Sequence, residues 1–146
     1  MAKIYFDACC YNRPFDNLLD YKIRLEAEAI LLLENSILAN SLILYSSRIV
    51  DYELSRIKDL DKKEKVAAFY TSTKSTRLKF CDEIEQIANN LEKYNIKYMD
   101  ALHIAYCEHY EVDYMLTTDQ VLLNASRRVD LFTKMINPLV FVMEVL

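Results

Sequence analysis

The 146-residue chain contains no glycine, although average usage would give about ten. This absence excludes the motifs that depend on glycine backbone geometry, namely the GxGxxG dinucleotide loop, the Walker A loop and the GxSxG nucleophile elbow. We therefore do not expect nucleotide-cofactor redox chemistry or P-loop chemistry. The chain must also form its turns with Asn, Asp and Pro instead.

Long apolar runs are absent as well. The longest candidate, AILLLENSILANSLILY, is interrupted by Glu34 and by Asn and Ser residues, and it falls short of a membrane span of ~18–20 residues. The N-terminal residues lack a signal-peptide pattern. The cysteines show no CxxC pair and no zinc-site spacing. We expect a cytoplasmic protein without a membrane partner, formed by one domain over residues 1–146.

The charge is unevenly distributed along the chain. The net charge is −4, which argues against a general polyanion-coating protein. Residues 48–79 carry a net charge of +4, and the remainder carries −8. A basic lobe on an acidic body would suit a nucleic acid approaching a metal-filled site, but the solvated faces of two helices would give the same pattern.

Strand-like and helix-like segments alternate, which is typical of parallel βαβ units in an α/β fold. We predict strands at about 3–7, 41–47, 113–119 and 130–136, with a short extended piece at about 76–81. Helices are predicted at about 18–39, 48–58, 61–70, 82–94 and 99–110, with a brief helix after residue 119. The pair Asn137-Pro138 starts either a helix or a strand. The buried stripe of the first helix is predicted to contain Leu19, Ile23, Ile30, Leu33 and Ile37.

Carboxylates lie near the predicted ends of strands and helices. Asp7 and Asp119 each end a strand, Glu53 follows the second strand, and Asp100 opens a helix. In parallel α/β sheets, sites form beyond the carboxyl ends of the strands, and a cluster of carboxylates is a hard-oxygen site for Mg²⁺ or Mn²⁺. Each acid alone also has a structural interpretation as a cap, a turn or a solvent-facing residue, and Asp51 is an alternative to Glu53.

Four segments give the chain a resemblance to the PIN-domain nucleases, especially their VapC-like toxin branch. They are IYFDACCYNRPFD, RLEAEAILLLE, IKYMDALHIA and YMLTTDQVLL. The resemblance implies a three-layer PIN-like α/β fold whose central parallel sheet has the strand order 3-2-1-4-5 and is flanked by helices. The chain departs from the family at Cys9, where a hydroxyl or amide side chain is frequent, and at Asn95 and Glu111, which replace glycines.

The same resemblance implies a function and its residues. The acidic quartet of the family falls on Asp7, Glu53, Asp100 and Asp119, as catalytic residues and as ligands of Mg²⁺ or Mn²⁺. The implied activity is hydrolysis of RNA phosphodiester bonds by an endoribonuclease, the toxin of a type II toxin–antitoxin pair. The implied partners are RNA, a small antitoxin and a second copy in a homodimer.

Other residues near the quartet have two interpretations each. Asn12, Arg13 and Thr118 are candidates for substrate contact or for support of the ligands, and a surface ion pair is an alternative for Arg13. His103, one turn after Asp100, would either support the site or pack as an ordinary helix residue. Two other functions also remain open: a PIN-fold RNA-binding or scaffold protein without cleavage activity, and a DNA-directed nuclease.

Overall fold

A computed structural model describes all residues from Met1 to Leu146. It contains a five-stranded sheet flanked by helices. The strands are β1 (Ala2–Phe6), β2 (Leu42–Ser46), β3 (Thr76–Arg77), β4 (Tyr114–Leu116) and β5 (Lys134–Ile136). The helices are α1 (Ala8–Asn12), α2 (Tyr21–Leu38), α3 (Arg48–Ser55), α4 (Leu60–Ser72), α5 (Asp82–Glu92), α6 (Tyr98–His109), α7 (Gln120–Ser126) and α8 (Pro138–Glu144), and a 3₁₀ turn covers Arg13–Phe15.

The sheet is parallel throughout, with the strand order β3-β2-β1-β4-β5. This confirms the predicted fold class and strand order. The central strand β1 pairs with β2 on one side and with β4 on the other. The chain therefore runs from β1 to β2 and β3 on one side and then crosses to β4 on the other side of β1. A crevice is expected where the strand order reverses, beyond the carboxyl ends of β1 and β4.

The opening apolar run lies in the interior of the sheet. Ile4, Tyr5 and Phe6 are fully buried, as expected for a strand with both faces covered. They belong to one hydrophobic core that also includes Ile30 of α2 and Ile104 of α6. None of the helices is both long and apolar enough to cross a membrane.

Three non-glycine residues adopt left-handed backbone conformations. Asn40, Asn95 and Glu111 have φ values of 59°, 64° and 53°. Asn tolerates this region better than most residues because its short polar side chain hydrogen-bonds locally. Glu111 lacks that advantage, so its turn is the most strained of the three.

The structure differs from the predicted elements in two places and decides between two alternatives in a third. Helix α1 was not predicted; it begins directly after β1 because the Asp7 carboxylate accepts the Ala8 N–H and caps it. Leu19 was wrongly placed on a buried stripe: it precedes α2, and 89% of its surface is exposed. At Asn137-Pro138 the helical alternative is correct, since Asn137 caps α8 through the Leu139 N–H.

Candidate metal centre

Asp7 lies at the carboxyl end of the central strand and is 6% exposed. One carboxylate oxygen accepts the Ala8 N–H at 2.8 Å, and the other accepts the Thr117 hydroxyl at 2.8 Å. The backbone N–H of Asp7 still bonds to the carbonyl of Leu116 in β4. These contacts hold the carboxylate at the crevice between β1 and β4.

Glu53 reaches the same crevice from α3. Its carboxylate forms a hydrogen bond with Nε2 of His103, and the same nitrogen lies 3.7 Å from Oδ1 of Asp7. The ligand atoms of Asp7, Glu53 and His103 all lie within 4.8 Å of one another. Asp51 lies apart from this cluster and forms an ion pair with Arg77 at 2.8 Å.

Asp100 and Asp119 lie beside each other at a neighbouring cavity. Both line a cavity of about 220 Å³, to which Asn95, Lys97 and Leu122 also contribute. Asp100 lies in the first turn of α6, one turn before His103. Asp119 is exposed and caps α7 through the Leu122 N–H.

The pKa of Asp100 shows that the carboxylates act on one another. Burial is the largest cause of a rise in this pKa from 3.8 to about 6; the negative charges of Asp7, Asp119 and Glu53 contribute to the rise, and His103 opposes it. Like charges in a partly buried site disfavour ionisation of the next carboxyl group. The four acids that the sequence separates widely therefore share one electrostatic environment.

His103 is fully buried at the centre of this environment. Burial lowers its pKa, but the hydrogen bond to Glu53 and the charges of Asp7 and Asp100 outweigh burial and raise the pKa overall. The sequence leaves the role of His103 open. Its position three residues after Asp100, on the same face of α6, was the available signal.

Thr117 performs the supporting role that Cys9 leaves open. Its hydroxyl donates to Asp7 and accepts the Asp119 N–H at 3.1 Å. Cys9 contributes weaker contacts, with its sulfur 3.6 Å from Oδ2 of Asp7 and 3.5 Å from Oγ1 of Thr117. The Asp7 carboxylate thus has a hydroxyl donor despite the cysteine.

The remaining candidates lie around the cluster. The backbone N–H of Thr118 donates to the Cys9 sulfur, and the side-chain oxygen of Asn12 is buried without a hydrogen-bond partner. Arg13 forms ion pairs with Asp16 and Glu26, both at 2.9 Å. The guanidinium is therefore engaged in ion pairs, as in the alternative to substrate contact, although the pair with Glu26 is buried and not at the surface.

Comparison with known proteins identifies a similar fold. No protein-family model matches this chain, and no curated protein matches it. A solved structure that does match is VapBC2 from Rickettsia felis bound to a DNA fragment from their promoter. The alignment covers 92% of this chain and 98% of that one, with a TM-score of 0.57 and 16% sequence identity. The fold is PIN-like.

The PIN-like fold explains why the acids and the histidine of the candidate metal centre lie near one another. Its strand order places β1 between β2 and β4, so the residues after these three strands share one edge of the sheet. Asp7 follows β1, Glu53 follows β2, and Asp119 follows β4. Helix α6 precedes β4 and brings Asp100 and His103 to the same edge.

Proposed function

We propose that this protein is an endoribonuclease that depends on Mg²⁺ or Mn²⁺ and acts as the toxin of a type II toxin–antitoxin pair. The observation that carries the proposal is the cluster of Asp7, Glu53 and His103 in a PIN-like fold, with Asp100 near enough to feel the charges of Asp7, Glu53 and Asp119. No lysine or arginine forms a salt bridge with any of these four carboxylates. An external cation would balance their charge.

The donor set fits a divalent ion. Carboxylate oxygens are the preferred ligands of Mg²⁺ and Mn²⁺, and Asp7 is already oriented by Thr117 and by the Ala8 N–H. We assign Asp7, Asp100, Asp119 and Glu53 as ligands. When bound, such an ion supplies charge neutralisation at a phosphodiester and acidifies a water molecule.

The residues of the chain provide the remaining requirements for hydrolysis. Glu53, whose side chain is partly exposed beside Asp7 and His103, is placed to orient the attacking water or accept its proton. The raised pKa of Asp100 means that protons compete for this carboxylate below about pH 6. Metal binding, and cleavage with it, is therefore expected to weaken as the pH falls through this value.

The antitoxin and the second copy would need an accessible surface. Helix α2 supports both proposals because it exposes Leu25, Leu31, Leu32 and Leu38, and exposed apolar side chains in one region favour protein contacts. Analytical ultracentrifugation of the protein alone tests the homodimer; a monomer at all concentrations would contradict it.

Cleavage of a mixed cellular RNA substrate with Mg²⁺ or Mn²⁺ tests the activity. We expect Asp100→Asn to reduce the metal-dependent rate by about 100-fold or more, the range for loss of one electrostatic stabiliser. Asp51→Asn is the matched control, since it makes the same chemical change outside the cluster, and it should retain cleavage. If the metal-loaded wild type cuts only single-stranded DNA, the protein is a DNA-directed nuclease; if it cuts neither, a binding or scaffold role replaces this proposal.

A further inference from the structure

The imidazole of His103 has no established role in the proposed reaction. We infer that its Nε2 atom is a direct ligand of the divalent ion, together with Asp7 and Glu53, and that it makes the site prefer Mn²⁺ to Mg²⁺. The inference deepens the proposed function, on which it rests, by naming a nitrogen ligand and the ion that this ligand selects.

The distances place the three side chains near the spacing that a single ion requires. In a site with metal–ligand bonds of about 2.1 Å, neighbouring ligand atoms lie about 3 Å apart and opposite ones about 4.2 Å apart. Nε2 of His103 is 3.7 Å from Oδ1 of Asp7, and the three ligand atoms lie within 4.8 Å of one another. Glu53 must move away from its present hydrogen bond, and its side chain is 30% exposed, which leaves it room to rotate.

The second ring nitrogen of His103 is fixed by a hydrogen bond, as is common for metal-bound histidines. Nδ1 of His103 lies 2.6 Å from the Tyr5 hydroxyl, which lies 2.7 Å from Oγ of Ser47. All three residues are fully buried. In the metal-bound form, with Glu53 turned out of its hydrogen bond, Nε2 loses its proton, Nδ1–H donates to Tyr5, Tyr5 donates to Ser47, and the lone pair of Nε2 is free for the ion. A hydrogen bond on the second nitrogen commonly orients a metal-ligating histidine in this way.

A nitrogen ligand determines which ion the site prefers. Mg²⁺ favours an all-oxygen environment, whereas Mn²⁺ accepts imidazole nitrogen more readily. His103 cannot turn aside to leave an all-oxygen site because its ring is buried and held by Tyr5. If instead Ser47 donates to Tyr5 and Tyr5 donates to Nδ1, Nε2 carries the proton and donates to Glu53. His103 would then be a positioning residue.

Pulsed electron paramagnetic resonance of the Mn²⁺-loaded protein separates these two roles. The chain has only two histidines, and the second, His109, is exposed at the end of α6. In a His109→Gln variant, every histidine signal comes from His103. We expect ¹⁴N modulation from a directly bound nitrogen, replaced by ¹⁵N coupling when the protein contains ¹⁵N-histidine. Bound Mn²⁺ without this coupling, or no bound Mn²⁺, would overturn the inference.

Calorimetric titration with each ion provides the second readout. We expect His103→Gln to raise the Kd for Mn²⁺ by about 10- to 100-fold and to change the Kd for Mg²⁺ much less. Equal weakening of both ions would indicate that His103 acts through Glu53, contrary to the inference. The isotope experiment needs no substitution at His103, so it decides the question even if the buried variant fails to fold.

The two proposals fail in different ways. Nitrogen coupling without cleavage of RNA would support the His103 ligand and defeat the proposed nuclease activity. Metal-dependent cleavage without nitrogen coupling would support the nuclease and defeat the His103 ligand alone.

Discussion

Two regions of this protein bury carboxylates, and they balance the charge differently. The first, the α2 ion network, consists of Arg13, Asp16, Glu26, Lys62 and Asn137. Glu26 is 1% exposed and accepts hydrogen bonds from Arg13 and Asn137, while Asp16 pairs with Arg13 and Lys62. Two cations thus face two anions, and the network is neutral within the chain.

The candidate metal centre reverses this balance. Asp7 is nearly as buried as Glu26, but no lysine or arginine pairs with the four carboxylates of the centre, and the imidazole of His103 lies against Asp7 and Glu53. Burying an unpaired charge is costly, so a stable protein has little reason to gather such charges without a partner. Burial of a carboxylate therefore does not by itself identify a binding site. The informative feature is a buried charge that no other charge of the chain balances.

The largest stability effect is expected in the α2 ion network. Glu26→Ala should lower the free energy of unfolding by about 3 kcal/mol, because it removes one partner of a buried ion pair and leaves the Asn137 amide unpaired. Urea denaturation measures the change. Asp61→Ala, which breaks an exposed pair with Lys65, is the control and should cost less than about 0.5 kcal/mol. Equal losses in the two variants would contradict the assignment of the network as a structural element.

The metal centre should respond to an added cation. At a Mn²⁺ concentration 100 times the Kd, binding to the folded state should stabilise the wild type by about 2.7 kcal/mol, measured as a rise in the melting temperature relative to EDTA. Asp100→Asn should lose most of this rise. Glu26→Gln makes the same carboxylate-to-amide change in the neutral network and should keep it. A rise of the same size in Asp100→Asn would place the ion elsewhere.

Without metal, Asp100 is expected to have a smaller effect on the free energy of unfolding, and this effect depends on pH. Because the pKa of Asp100 is raised from 3.8 to about 6, the folded protein keeps a proton in this range that the unfolded chain has released. Asp100 should therefore contribute a loss of stability as the pH rises from about 4 to 6. Asp100→Asn removes this penalty and should be more stable by about 1 kcal/mol at pH 8, a value reduced for solvent screening of the partly exposed carboxyl group.

Urea unfolding in EDTA at pH 4 and pH 8 tests this expectation. The advantage of Asp100→Asn should be present at pH 8 and nearly absent at pH 4, where the wild-type carboxyl group is largely protonated in the folded state. A variant that is less stable than the wild type at pH 8 would show that Asp100 is not destabilised by its neighbours.

The fold was predictable where the local pattern has one physical interpretation. The run Ile4-Tyr5-Phe6 is apolar without alternation, and it forms a buried strand. Asn95 was expected to replace a glycine, and it has positive φ. Leu19 was wrongly predicted to be buried because periodicity alone does not show where a helix begins. Helix α1 was missed because a helix of five residues is too short to establish a period.

The sequence predicts four acids for the site, and their role as metal ligands stays a prediction; the contacts that support them could not be predicted. The positions of Asp7 and Asp119 after predicted strands indicated a shared edge, which the parallel sheet provides. The pattern that places His103 one turn after Asp100 is equally typical of a packed helix residue. Only its contacts with Glu53 and Tyr5 distinguish the two interpretations.

The sequence by itself determined the alternation of strands and helices, the exclusion of glycine-dependent motifs and the placement of acids at the ends of elements. These properties depend on neighbouring residues, so they can be recognised along the chain. The tertiary structure alone decided that Thr117 supports Asp7, 110 positions earlier, and that His103 meets Tyr5, 98 positions earlier. Hydrogen bonding and metal coordination depend on distances of a few ångströms between atoms, and the packing of β1 between β2 and β4 sets those distances.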